Sequence, residues 1–209
     1  MKLFAAADIH GAQYRLNIIL GHIEVYRPDL VIICGDITQF GPGEMAKNFL
    51  NQIPVETFAI PGNIDTPDVG QAISESNALN IDRRRLVRNG VSFVGLGGER
   101  FSRPSDLVIV DDTIKKPIAD VLDANSVLVT HVPPYQLQDT VFLGHHTGNK
   151  ELRDIVETCQ PRLVLCGHIH EDPGMTKFGK STIVNCSIGK RTEGAVINID
   201  DGISVEILE

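Results

Sequence analysis

Short apolar runs in this chain stop, one after another, at polar residues able to hold a metal. Lys2–Ala7 runs into Asp8 and His10, Leu30–Cys34 into Gly35-Asp36, and Val55–Ile60 into Pro61-Gly62-Asn63. Further on, Ser126–Thr130 runs into His131, and Leu163–Cys166 into Gly167-His168-Ile169-His170. Runs of four to six apolar or β-favouring residues bounded by glycine or proline read as buried strands. In open α/β sheets, ligands bind beyond the carboxyl ends of such strands. The recurrence therefore dictates a layout in which one edge of a sheet collects polar side chains that would be costly to desolvate alone.

Between the first strands lie helical spacings. Leu16, Ile19, Leu20 and Ile23 recur within 13–26, Pro28 ends that segment, and 44–52 reads as a second helix after Gly41-Pro42-Gly43. This β-α-β-α-β opening belongs to a parallel sheet flanked by helices. A polar helix is expected over 69–77, and Arg85–Arg88, Asn89-Gly90 and Val91–Leu96 predict a hairpin with a type I′ turn. Gly95-Leu96-Gly97-Gly98 lacks dinucleotide-loop spacing and marks a strand end where backbones pass closely. Residues 111–122 suggest a helix despite Pro117, and 150–159 a clearer one. A long loop, 132–148, carries Pro133-Pro134 and His145-His146. Loops of this length inside a compact domain are usually functional. From Met175 onward, runs 175–178, 181–186, 195–199 and 203–208 with tight turns read as an antiparallel meander. The whole, 1–209, is expected to form one domain of two stacked sheets with helices outside.

Composition narrows the function. A net charge of −8 argues against non-specific binding to nucleic acid or anionic membranes. No stretch approaches the roughly 18 apolar residues a membrane helix needs. The four cysteines, Cys34, Cys159, Cys166 and Cys186, form no CxxC pair, which points to reduced thiols and a cytoplasmic protein. The sequence carries no signal of oligomeric state.

Collected, the strand-end residues are Asp8, His10, Asp36, Asn63, His131, His168 and His170. Two carboxylates, one amide and four imidazoles suit two divalent transition ions: Mn, Fe, Zn, Co or Ni. The order Asp8-Ile9-His10, Gly35-Asp36, Gly62-Asn63-Ile64-Asp65, Thr130-His131 and Gly167-His168-Ile169-His170 resembles the signature of the calcineurin-like metallophosphoesterases. That resemblance implies a four-layer α/β/β/α sandwich of two mixed sheets flanked by helices. It also implies one metal on Asp8, His10 and His170, another on Asn63, His131 and His168, and Asp36 bridging both. Asp36 and Asn63 then count with the catalytic residues. The implied activity is hydrolysis of a small phosphate ester, a phosphodiester rather than a monoester, by a hydroxide held between the metals.

One position departs from the family. The histidine that usually follows the asparagine, and protonates the leaving oxygen, is replaced by Ile64, which strips Asp65 of its partner. His146, on the long loop, is a candidate acid or phosphate contact in its stead. A second reading keeps the fold but makes the chain a non-catalytic or weakly catalytic scaffold for protein contacts, as in a retromer subunit. The intact set of seven ligand-type residues speaks against it.

Overall fold

The computed structural model describes residues 1–98, 107–111 and 114–209. Strands β1 (Lys2–Ala6), β2 (Leu30–Cys34) and β3 (Thr57–Ile60) run parallel, joined through helices α1 (Gln13–Tyr26) and α2 (Gly43–Leu50). Helix α3 (Pro67–Ser74) leads to the two-residue strand β4 (Leu79–Asn80) beside β3. The hairpin β5 (Arg85–Arg88)–β6 (Val91–Leu96) turns on Asn89 and Gly90, whose φ values of 52° and 78° suit a type I′ turn. It opens a second sheet, continued by β9 (Ser126–Thr130), β10 (Leu163–Cys166) and β12 (Ser181–Asn185), all parallel to β6. Helix α4 (Lys150–Cys159) precedes β10 and is capped at its N-terminus by the Asn149 side chain, which accepts from Leu152 N.

Two expectations from sequence are corrected here. Val108–Asp111 (β7) and Ile114–Pro117 (β8) form an antiparallel hairpin followed by a 3-10 turn at Ile118–Asp120, in place of the helix expected over 111–122; residues 112–113 of that span lie outside the described residues. Pro117 disfavours helical backbone in the residue before it and is itself extended, and Ile114 is β-branched. Nor is the C-terminal region a single meander. β11 (Gly174–Phe178) and β12 form a hairpin in the second sheet, whereas β13 (Ala195–Ile199) and β14 (Ile203–Ile207) form another in the first, with β13 antiparallel to β1. The break falls at 186–194, where the chain crosses between sheets.

The sheet orders are β14-β13-β1-β2-β3-β4 and β11-β12-β10-β9-β6-β5. Period-two alternation decides which face each residue serves. Leu3, Ala5, Leu30, Ile32 and Phe58 point inward to meet Phe93, Val127, Val129, Leu163 and Leu165 between the sheets. Phe4, Ala6, Val31 and Ile33 point outward under α1, α2 and α3. Val94, Leu128, Val164 and Ile183 do the same on the other side, beneath α4. These are the four layers α/β/β/α, with strands buried on both faces as their unbroken apolar runs require. At the carboxyl edge the sheets are tied: Ala7 bridges Ser187, Ala7 N donates to Cys186 O at 3.1 Å, and Ile188 N donates to Ala7 O at 3.0 Å. That tie brings the loops after β1, β2 and β3 against those after β9 and β10.

Candidate metal centre

Asp8, His10, Asp36 and His168 all hold left-handed backbone, with φ of 64°, 52°, 51° and 69°. Such conformations are uncommon outside glycine and concentrate where surrounding contacts over-determine the chain. Those contacts are main-chain bonds between the loops. Asp8 N donates to Gly35 O, His10 N to Asp36 O and Gly167 N to His131 O, each at 2.9–3.0 Å. The loops pack so tightly that a Cβ on Gly35 would come within 2.7 Å of both Gly62 Cα and His131 Nδ1. Arg15, one turn into α1, also donates to the Asp8 carbonyl.

Seven side chains then converge. Asp8 Oδ1 lies 3.4 Å from His170 Nε2 and 3.8 Å from His10 Nε2, and the two imidazole nitrogens are 3.2 Å apart. Asn63 Oδ1 faces His131 Nε2 at 2.8 Å and His168 Nδ1 at 2.9 Å. Asp36 Oδ2 sits between these groups, 3.3 Å from His131 Nε2 and 4.0 Å from His10 Nδ1. Outer contacts aim each ligand. His131 Nδ1–H donates to Cys34 O at 2.8 Å, which turns Nε2 toward the centre. Asp8 Oδ2 accepts from His168 N, and Asp36 Oδ1 accepts from Ile64 N.

The donor set fits a pair of cations. Asp8 Oδ1 is fully buried yet has no hydrogen-bond partner among the described residues, an arrangement that costs free energy unless a charge faces it. Asp8 with His10 and His170, and Asp8 with Asp36 and His131, each bring their ligand atoms within 4.8 Å of one another. Imidazole with carboxylate oxygen selects transition ions.

Charges within the site are strongly coupled. Burial alone would raise the Asp8 carboxyl, but its contact with His170 and the fields of His131 and His170 hold it well below the ordinary range. Burial alone would lower His131, but Asp36 beside Nε2 and the field of Asp8 override it and push the imidazole up to about 9. His170 is raised by Asp8, whereas burial lowers His10 and His168. The sign of the His131 shift gives a prediction. A raised folded-state value stabilises the protein fully below 6.5, and that contribution is lost as pH climbs to about 9. A metal needs the deprotonated ring, so its stabilising effect grows over the same interval. Thermal unfolding in chelator should show Tm falling from pH 6.5 to 9, while the Tm gain on adding manganese increases; a gain that shrinks with pH would contradict the coupling.

Other sequence candidates fall elsewhere. Asp65 is not idle: it accepts from Ile37 N, Gly62 N, Thr38 N and Thr38 Oγ1 at 2.8–3.0 Å, pinning the loop that carries Asn63 to the loop that carries Asp36. The expectation that it lacks a partner is corrected, since backbone amides replace the missing ring. His146 is not among the seven; its Nδ1 lies 2.6 Å from the buried Asp139. His145 is exposed and lends its carbonyl to Val141 N. Gly95 and Gly97 sit hard against the backbones of Ile81 and Pro61, the close passage their sequence suggests. Sequence reasoning missed the backbone strain at the ligands; the one available signal is that Asp and His are among the non-glycine residues that favour positive φ.

Known proteins resemble this chain in sequence and in fold. A relative from Methanocaldococcus jannaschii, itself uncharacterised, is 34% identical over 201 residues, covering 90% of this chain and 88% of its own. A probable glycerophosphodiester phosphodiesterase of Arcobacter nitrofigilis is 26% identical over 185 residues, and the match spans 78% of this chain and 64% of that protein. Among solved structures, TT1561 of Thermus thermophilus superposes with a TM-score of 0.72 at 15% identity, covering 100% of this chain and 99% of that one, a likeness of fold. The family model for calcineurin-like phosphoesterases matches residues 1–172, a span that includes every residue of the cluster, and the chain belongs to that family.

Proposed function

We propose that this chain is a dimetal phosphoesterase that hydrolyses phosphodiesters. The observation that carries the reading is the buried Asp8 Oδ1, which makes no hydrogen bond among the described residues and faces His170 Nε2 at 3.4 Å and His10 Nε2 at 3.8 Å, with Asp36 between it and the Asn63–His131–His168 group. Asp8, His10 and His170 would hold one ion, Asn63, His131 and His168 the other, and Asp36 both. Such a pair supplies Lewis acidity at the phosphoryl oxygens and a water acidic enough to ionise near neutral pH.

The protein's own part is to fix these ligands rigidly. Strained loops cross-linked by main-chain bonds lose little order when the ions enter. Asn63, being neutral, adds a ligand without quenching the positive field that a phosphate must meet. The preference for diesters is supported by the Arcobacter relative and by Ile64. No imidazole stands at that position to serve a poor leaving group. The four unpaired cysteines fit a reducing compartment such as the cytoplasm.

Manganese-loaded protein is expected to hydrolyse bis-(4-nitrophenyl) phosphate with a kcat/KM roughly tenfold or more above that for 4-nitrophenyl phosphate, a difference of about 1.4 kcal/mol in transition-state stabilisation. Metal-replete protein that turns over neither would instead be a scaffold, and a reversed ratio would make it a monoesterase.

A further inference from the structure

We propose that His146, oriented by the buried Asp139 carboxylate, is the acid that protonates the leaving oxygen in place of the histidine that Ile64 replaces. The inference rests on the phosphodiesterase reading above.

Asp139 is fully buried, and both of its oxygens are engaged. Oδ2 accepts from Gln136 N at 2.9 Å and Gly148 N at 2.8 Å, and Oδ1 takes the Nδ1–H of His146 at 2.6 Å. The ring is thereby fixed in one tautomer, with Nε2 on the side away from Asp139. A carboxylate on one nitrogen orients the ring and leaves the second nitrogen for proton transfer. The His146 side chain is 34% exposed, open to solvent rather than sealed in the core. The groups facing the ring are Asp139 and Tyr135, whose ring lies 5.8 Å away edge-on; Lys150 stands over the Tyr135 ring at 5.2 Å.

The loop that bears this pair leaves the centre at His131, and its middle is tied to the segment just past His170. Thr140, bridged to His146, donates its N–H to Asp172 Oδ2 at 2.9 Å, two residues past His170. Gln138 Nε2 donates to Asp172 O, and Asn185 Nδ2 donates to both Ile169 O and Asp172 O. His146 is thus tied, through its bridge to Thr140, to Asp172, just past His170 on the carboxyl edge of the sheets. Ile64 offers no proton, and His146 is the imidazole of the long loop whose orientation a buried carboxylate fixes.

In the step proposed, hydroxide bonds to phosphorus as the P–O bond to the leaving group breaks, its electron pair going to that oxygen. The His146 imidazolium transfers its Nε2 proton to the departing alkoxide, which leaves as an alcohol. The ring stays neutral with Nδ1–H on Asp139 and regains a proton from solvent.

The test compares two diesters on manganese-loaded protein: sn-glycero-3-phosphoethanolamine, which expels an alkoxide, and bis-(4-nitrophenyl) phosphate, whose leaving group needs little help. His146→Gln should lower kcat about 100-fold or more on the first and only about threefold on the second, the size range of general acid catalysis. Tm and metal content of the variant should match the wild type. Independently of any variant, the wild-type rate on the alkyl ester should fall at alkaline pH with a limb that the aryl ester lacks. Equal losses on both esters, no loss on the alkyl ester, no such limb, or a wild-type protein inert to the alkyl ester but active on the aryl one would each overturn the assignment of His146. A loaded protein inert to both esters would instead sink the phosphodiesterase reading itself.

Discussion

Asp36→Asn should abolish turnover of bis-(4-nitrophenyl) phosphate, with a fall in kcat/KM on the order of 10³-fold or more. The substitution keeps the shape of the side chain, and an amide oxygen can still accept from Ile64 N, the bond that Asp36 Oδ1 makes at 3.0 Å. What disappears is the charge. Asp36 is 3% exposed and lies between the His10–Asp8–His170 group and the His131–Asn63–His168 group, so under the proposed function it would neutralise two ions at once. Its loss also removes the carboxylate that lifts the His131 imidazole. Metal analysis of the variant should read one ion or fewer per chain with the fold intact by circular dichroism. Full occupancy and wild-type rates would mean that Asp36 bridges nothing.

Gly62→Ala should cost about 3 kcal/mol of stability, the upper range for forcing an atom into a closed site. For a chain of this size that is a fall in Tm of roughly 6–12 °C. The reason is contact and not backbone conformation, because an added Cβ would overlap Asp36 Oδ1 and the Asp36 backbone nitrogen. Neither atom can retreat: the oxygen accepts from Ile64 N, and the Asp36 carbonyl accepts from His10 N. The variant should therefore also lose metal binding and activity, since relieving the overlap moves Asp36. Gly21 is the control. It lies exposed within α1 with nothing within 4 Å of where a Cβ would sit, so Gly21→Ala should stabilise by about 0.5–1 kcal/mol and leave activity alone. Thermal melts of the two variants, with activity on the aryl diester, check both directions.

The strands and their order of polar ends were legible because each obeys a local rule. A doubly buried strand reads as an unbroken apolar run, and glycine or proline punctuates its end. Helices α1 and α4 have the residue bounds that their periodicity gives, 13–26 and 150–159. The sandwich itself is borne out, with its two mixed sheets and outer helices. What was not legible depends on partners distant in sequence. β12 pairs in parallel with β10 whereas β13 pairs with β1, and no local pattern tells a hairpin which of two sheets it will join. The helix expected over 111–122 is a different case: a local hairpin of β7 with β8 takes its place, over a weak periodicity that Pro117 already opposed. Four of the seven cluster residues adopt positive φ; Asp and His tolerate that region better than most residues, but their identity alone does not say which of them will adopt it. Their strain is supported by bonds between loops that are adjacent only in the folded chain. Asp65 shows the same limit: its family role suggested a lost partner, and its actual partners are four groups on three residues nearby in space.

The most direct measurement is anomalous diffraction from crystals soaked in manganese. The account predicts two peaks in the cleft beyond the strand ends, one touching Asp8, His10 and His170, the other touching Asn63, His131 and His168, and Asp36 in contact with both. Ions bound only elsewhere, or none among these seven side chains, would contradict it.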